Sequence, residues 1–346
     1  MRTLLVAAPG SITLVDRPDP VVAPHTVVVA VSFCGVCGSD LPIFFGQDQA
    51  EKVGYFGHEF SGTVVETGPG VEGLSAGDRV ASGLIRACGR CERCLSGHPN
   101  FCQDMRHAIS PGGFASRTLV RYAPDYAFLC RVPSQLPLAH AVLNEPLSCA
   151  IRIVEQGEVR PGDRVLVLGL GPMGHLSGLL ARLWGAHHVV GVDRSTSRVS
   201  LAAENGLSAV DANNPDWPSL VEGMLNGPTA DLVIEATGRP ESFAYALSLA
   251  RLGGRVVVGS VYRELAESLD LRPIMRKELH IIGAKGPFPH AVAGKEALAM
   301  EILASGKLPL GNLVRVYPVA RATDAFRAAA AGVVLKAVVD MEGADG

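Results

Sequence analysis

The stretch RVLVLGLGPMGHLSGLL, residues 164–180, limits this chain to very few folds. After Arg164 the run VLVL is wholly apolar, as expected of a strand buried on both faces, and the apolar spacing beyond Gly174 predicts a helix. Gly169, Gly171 and Gly174 stand between them in the order G-x-G-x-x-G. Gly169 permits a tight turn, Gly171 lets the backbone approach a ligand closely, and Gly174 lets helix and strand touch. Pro172 and Met173 open the helix, whose first N–H groups would face an anion.

Further strand signals follow at HVVGVD (188–193), DLVIEATG (231–238), GRVVVGSV (254–261) and HIIGA (280–284), with helical segments such as SRVSLAAENG between them. Strands alternating with helices predict a parallel sheet covered on both faces. The glycine turn in that setting predicts a dinucleotide site of the Rossmann type. Asp193 ends the next strand, where its carboxylate would accept both ribose hydroxyls of NAD and repel the 2′-phosphate of NADP. Arg194 weakens that preference slightly, and Arg198 is placed to stack on the adenine.

The first 140 residues have a different character. TVVVAV (26–31), FSGTVVETG (60–68) and GDRVASGLI (77–85) are short β-segments broken by Gly, Pro and Asp, with little helical periodicity, and they predict a compact β-barrel with loop insertions. Residues 138–157 predict one or two helices interrupted at Pro146. Near the end, KEALAMEILASGKL (295–308) and ATDAFRAAAAG (322–332) predict helices and KAVVDM (336–341) a closing strand. The character changes near Pro137, from short β-segments to alternating strands and helices.

Composition excludes several classes. The net charge of −3 is spread along the chain, which argues against nucleic acid or a membrane surface as partner. The N-terminal MRTLLVAAPGSITLV breaks at Pro9-Gly10 and predicts a strand and turn, and no apolar run reaches the roughly 20 residues of a membrane span. Cytoplasmic residence is the expectation.

The chain has 8 cysteines, and Cys88, Cys91, Cys94 and Cys102 are spaced C-x2-C-x2-C-x7-C within a lobe expected over 86–103. Four thiolates this close can converge on one tetrahedral zinc with little loop-closure cost, and a filled ligand set makes the role structural. An iron–sulfur cluster or four plain thiols are the alternatives. A second group of ligand types is scattered: Cys37 followed by Ser39 and Asp40 in CGSD, His58-Glu59 in GHEFSG, and Glu145 in NEPL. Spacing alone does not bring these together.

The order C-G-S-D, G-H-E, four close cysteines, E-P-L and G-x-G-x-x-G, spanning about residues 30 to 340, resembles the zinc-dependent medium-chain dehydrogenase/reductases. Within them it looks most like the polyol branch of sorbitol, threonine and galactitol-phosphate dehydrogenases. The resemblance implies a two-domain α/β chain: a GroES-like β-barrel catalytic domain over 1–148, a Rossmann doubly wound parallel sheet over 149–285 that binds NAD, and a return to the catalytic domain over 286–346. It implies two zinc ions, a structural one on the four clustered cysteines and a catalytic one. Cys37 and His58 match catalytic zinc ligands, and Glu59 and Glu145 match carboxylates that bind the metal directly or through water. If all four bind, the site is closed until one carboxylate swings away. His58 and Glu59 are adjacent, so both reach one ion only if the backbone bends at Gly57. Asp40 is expected to orient His58, and Cys34 to be a small buried residue.

The implied reaction is alcohol oxidation, with zinc lowering the hydroxyl pKa, NAD taking the hydride and Ser39 passing on the proton. Many relatives have a histidine where this chain has Pro42, so its proton must exit through water, the cofactor ribose, Glu59 or Glu145. The absence of a second cysteine near Glu145 points away from simple alcohols and toward a polyol, sugar alcohol, cyclitol or amino alcohol. Lys285, His290 and Lys295 would add a phosphate or carboxylate contact if they reach the site. An NADPH-dependent carbonyl reductase and a non-enzymatic NAD- and zinc-binding protein are the other readings. Relatives pair as homodimers or homotetramers, often through the strand matching HIIGA.

Overall fold

The computed structural model describes residues 1–47, 56–83, 88, 90–103, 112–121, 129–266, 268–286 and 294–345. His290 and positions 84–87 and 89 of the expected strand and lobe lie outside them, and of Lys295 only the backbone is described. The chain forms two compact units, Met1–Ser148 with Gly286–Gly346, and Cys149–Lys285. Among the described residues, no helix is long and apolar enough to cross a membrane.

In the first unit β1 (Arg2–Ala8) and β2 (Ser11–Asp16) make a hairpin. The chain continues through β3 (Thr26–Gly35), α1 (Leu41–Phe44), β4 (Glu59–Thr67), β5 (Arg79–Ser82), α2 (Glu92–Leu95), β6 (Arg117–Arg121), β7 (Leu129–Arg131) and α3 (Leu138–Ala141), and α4 (Asn144–Gln156) runs on into the second unit. TVVVAVSFCG is apolar almost throughout because β3 is the spine of the unit's large sheet, with β4 and β6 both antiparallel to it. The core beneath gathers Val27, Val29 and Val31 with Phe44, Phe56, Phe60, Phe114 and Phe326. Phe56 and Phe114 lie 5.1 and 5.2 Å from the Phe326 ring, within the range where aromatic pairs add to area burial.

The second unit alternates β8 (Arg164–Leu168), α5 (Pro172–Leu183), β9 (His188–Asp193), α6 (Thr196–Glu204), β10 (Ser208–Asp211), α7 (Trp217–Leu225), β11 (Ala230–Glu235), α8 (Pro240–Leu249), β12 (Ala250–Val258), α9 (Arg272–Arg276) and β13 (His280–Gly283). The sheet order is β10-β9-β8-β11-β12-β13 with every pairing parallel, so the order reverses between β8 and β11. Ligands of doubly wound sheets bind at that reversal, outside the strands' carboxyl ends. The first unit resumes with α10 (Gly294–Ala304), β14 (Val314–Pro318), α11 (Ala322–Ala331) and β15 (Lys336–Asp340), and β15 pairs antiparallel with β3. Its sheet runs β14-β15-β3-β4-β5-β7. This is the GroES-like unit joined to a Rossmann unit that the sequence predicts.

Two local expectations change, and two strands are new. The helical stretch over 138–157 breaks after Ala141, not at Pro146, which sits in the first turn of α4 where its missing N–H is no loss. The helix expected over 295–308 stops at Ala304. β10 and β14 have only 4 and 5 residues, too few to show a period in sequence.

Candidate active site

Gly57 decides how two adjacent residues reach one point. Its φ of +83° turns the chain just before β4, so His58 lies outside the strand and Glu59 begins it. A Cβ there would stand 2.6 Å from the Phe114 ring and 2.8 Å from Cys34 Sγ, so a side chain is also excluded by space. Cys37 stands two residues beyond the end of β3, and the ligand atoms of Cys37, His58 and Glu59 all lie within 4.8 Å of one another. Cys34 is fully buried on β3, where burial drives its thiol pKa well up. It belongs to the core.

Asp40 holds this arrangement through the backbone. Buried, it accepts from Cys37 N at 2.8 Å and Gly57 N at 3.4 Å, tying together the two segments that carry the ligands. Burial raises its carboxyl pKa, and the charge of His58 works against that. Burial also works to lower the His58 pKa, but Cys37, Asp40 and Glu145 outweigh it and hold the imidazole well above its ordinary range. This is a strongly anionic pocket.

Sequence reasoning missed one residue at its centre. Lys336, at the head of β15, donates to Glu59 Oε1 at 2.8 Å and Oε2 at 2.6 Å, and to the carbonyl of Val36 at 3.2 Å. The side chains are 2% and 1% exposed. β15 and β4 flank β3, and the pair meets over Gly35, where a Cβ would stand 2.6 Å from Glu59 Oε2. Burial alone would lower the Lys336 pKa; Glu59, Cys37 and Glu145 reverse the sign and raise it. A lysine opening the apolar run KAVVD was the only signal in sequence.

The other expected residues divide. Glu145 is buried in the first turn of α4, and its charge is felt at His58 and Lys336, but it is not in the set whose ligand atoms lie within 4.8 Å. Ser39 is exposed beside Cys37, and Pro42 is buried in α1. Lys285 is exposed in the second unit, and the structure does not assign it to this pocket.

The sulfurs of Cys88, Cys91, Cys94 and Cys102 form a second cluster, with 3.4 Å between Cys91 and Cys94, 3.9 Å between Cys88 and Cys94, and 4.0 Å between Cys91 and Cys102. No cysteine of the chain is in a disulfide. Backbone N–H groups of Gln103 and Cys94 aimed at the Cys91 sulfur hold its thiol pKa at about 6. The site therefore favours thiolate, the form that binds metal.

In the second unit Gly169 has a φ of +92° and packs against Thr237 and Ala236. Gly171 caps the N-terminus of α5, with Pro172 and Met173 in the first turn. A Cβ at Gly174 would collide with the carbonyl of Gly169. Asp193 accepts from Leu170 N at 2.7 Å and Ser195 N at 2.8 Å, which aims its carboxylate across the glycine turn. The Arg198 guanidinium sits 3.5 Å from Asp193 and next to Gly171, over the turn.

Comparison with known proteins matches this geometry to a family. Residues 23–133 match the alcohol dehydrogenase GroES-like domain and 172–298 the zinc-binding dehydrogenase profile. A probable D-xylulose reductase A of Arthroderma otae is 36% identical over 346 residues, covering 96% of this chain and 94% of its own. The chain belongs to the zinc-binding dehydrogenases. A sorbitol dehydrogenase of Halalkalibacterium halodurans is 29% identical over 95% of this chain and 96% of its own. Among solved structures, alcohol dehydrogenase TADH from Thermus sp. ATN1 superposes with a TM-score of 0.85 at 27% identity, covering 98% and 99% of the two chains.

Membership makes zinc and NAD the cofactors, and the donor sets fit them. Four sulfurs around one zinc at the usual bond length lie about 3.8 Å apart, and the measured spacings bracket that value. Cys37 and His58 supply one soft anionic and one imidazole donor, a pairing that suits a catalytic zinc. The side-chain-free turn at Gly169–Gly171 and the carboxylate of Asp193 suit the pyrophosphate and ribose of the dinucleotide.

Proposed function

We propose that this zinc- and NAD-dependent dehydrogenase oxidises a secondary alcohol of a polyol, sugar alcohol, cyclitol or amino alcohol to the ketone. The observation that carries the reading is the cluster of Cys37, His58 and Glu59 with a second carboxylate, Glu145, close enough to act on the same histidine. Carboxylates around the metal position favour a substrate with several hydroxyls, each able to donate a hydrogen bond. When bound, zinc supplies Lewis acidity toward the substrate hydroxyl and NAD supplies the hydride acceptor.

The chain's own residues do the rest. Cys37 and His58 would hold the metal, while Lys336 keeps the Glu59 carboxylate turned toward itself and so out of the place a substrate hydroxyl would take. Ser39, exposed beside Cys37, takes the hydroxyl proton and delivers it to water, so the buried Pro42 breaks no relay. Replacing Ser39 by alanine is expected to slow turnover about tenfold or more while zinc content and NADH affinity stay unchanged. Unaltered turnover at saturating substrate would remove Ser39 from the path.

A screen of polyols, their phosphates, cyclitols and amino alcohols, followed by NADH absorbance, tests the substrate class. Activity on simple monohydric alcohols alone, or with NADP alone, would overturn the reading. The phosphate arm of the screen separates a phosphorylated polyol from a plain one.

We further expect a homodimer or homotetramer. β13 is the outer strand of its sheet and carries exposed Ile281. Such an edge invites pairing with a second copy. Ile281→Asp is expected to shift the sedimentation coefficient toward monomer, and an unchanged assembly would place the interface elsewhere. Thiolate ligands and the absence of disulfides favour the cytoplasm.

A further inference from the structure

Glu235 is the last residue of β11, and it is wholly buried. Its Oε1 accepts from Thr237 N at 2.8 Å and from the Thr237 hydroxyl. Its Oε2 accepts from Ser260 Oγ at 2.6 Å, Tyr262 Oη at 2.6 Å and Gly238 N at 3.4 Å. One carboxylate thus collects donors from two loops, 236–239 after β11 and 259–262 after β12. These loops also touch each other, since a Cβ on Gly238 would stand 2.6 Å from the Val261 carbonyl.

The position of these loops gives the network its meaning. The ribose-binding Asp193 ends β9, the phosphate-binding glycine turn ends β8, and the sheet continues to β11 and β12 on the other side. A dinucleotide with adenosine over β9 and pyrophosphate over β8 must therefore carry its nicotinamide half across the ends of β11 and β12. Thr237 packs on Gly169, so the first loop forms the far wall of the crevice. Val261, 79% exposed, stands at the tip of the second.

We infer that Glu235 is a positioning residue for the nicotinamide half of the cofactor, stapling loops 236–239 and 259–262 into one fixed wall through Thr237, Ser260 and Tyr262. The inference rests on the dinucleotide reading above. A loop ordered before binding saves the ligand the entropy of ordering it, so the staple acts on affinity for the part of the cofactor that lies there. Burial and the Glu235 carboxylate raise the Tyr262 pKa, keeping the phenol a hydrogen-bond donor throughout the neutral range.

The test separates the two halves of the cofactor by calorimetry on the full-length zinc-loaded protein, with NADH and ADP-ribose as the probes. Tyr262→Phe removes one donor without touching the carboxylate. Glu235→Met removes all the acceptors at similar length, and Glu235→Gln keeps one while Ser260 and Tyr262 can rotate to accept from its amide. Tyr262→Phe and Glu235→Met are each expected to weaken NADH binding, the latter about tenfold or more, with ADP-ribose affinity unchanged and Glu235→Gln close to the parent. Equal losses for both ligands, or no loss for either, would make the network structural only and overturn the inference. Should Glu235→Met fail to fold, Tyr262→Phe carries the same comparison alone. A parent protein that binds neither probe would instead overturn the dinucleotide reading, and the inference with it.

Discussion

Replacing Cys37 by alanine is expected to reduce turnover by a thousandfold or more and to lower zinc content from about two to about one per chain. Cys37 is the one sulfur of the 4.8 Å set, and it is the first of the neighbours that raise the His58 pKa. Without it the metal keeps one imidazole and carboxylates, of which Glu59 is already committed to Lys336. The four-cysteine cluster retains its ion, so the folded protein should melt within a few degrees of the parent. Metal analysis beside steady-state kinetics reads the outcome. Two zincs retained, or turnover within about tenfold of the parent, would remove Cys37 from the ligand set.

The second large effect falls on Lys336. Lys336→Met fills similar space with no charge and takes from the fully buried Glu59 carboxylate the cation that both its oxygens accept from. Breaking a buried pair in this way costs about 3–5 kcal/mol, because the remaining charge has neither water nor partner. Zinc changes the account, since a released Glu59 can turn to the metal. The variant should therefore lose about 3–5 kcal/mol in urea unfolding when zinc has been chelated, and recover much of it when zinc is restored. Turnover should fall at least about tenfold even with zinc present, because the position kept for substrate is then taken by the carboxylate. The double variant Lys336→Met/Glu59→Gln, which removes the lone charge, should regain stability without added zinc. A loss under about 1 kcal/mol, or one that zinc does not reduce, would show that Glu59 does not depend on Lys336 for its position.

Both predictions turn on how far apart in sequence the interacting residues lie. The glycine turn was legible because all its parts sit within one strand–turn–helix, where φ/ψ demands and close packing are local. The four cysteines were legible for the same reason: Cys88 to Cys102 close on one point through short loops whatever the rest of the chain does. The bend that lets His58 and Glu59 converge was marked by Gly57, a local signal that the φ of +83° bears out. The alternation of strands and helices after residue 164 predicted the parallel sheet because each βαβ unit imposes its own handedness and order.

Lys336 and Glu59 are 277 positions apart, and no local pattern links them. They meet because β15 and β4 lie on either side of β3 in a register that sets them over Gly35, and a slip of one residue would turn either side chain to the opposite face. Glu145 resembled a ligand in sequence, yet the first turn of α4 leaves it outside the 4.8 Å set of Cys37, His58 and Glu59. Glu235 looked like an ordinary strand end until the parallel pairing of β11 with β12 brought Ser260 and Tyr262 to it. The sequence alone therefore determined the strand–helix alternation after residue 164, the dinucleotide turn and the cysteine cluster, all set by short-range geometry. Which carboxylate is held by which cation, and so how the pocket is kept open, was decided only by strand register, which depends on the packing of the whole sheet.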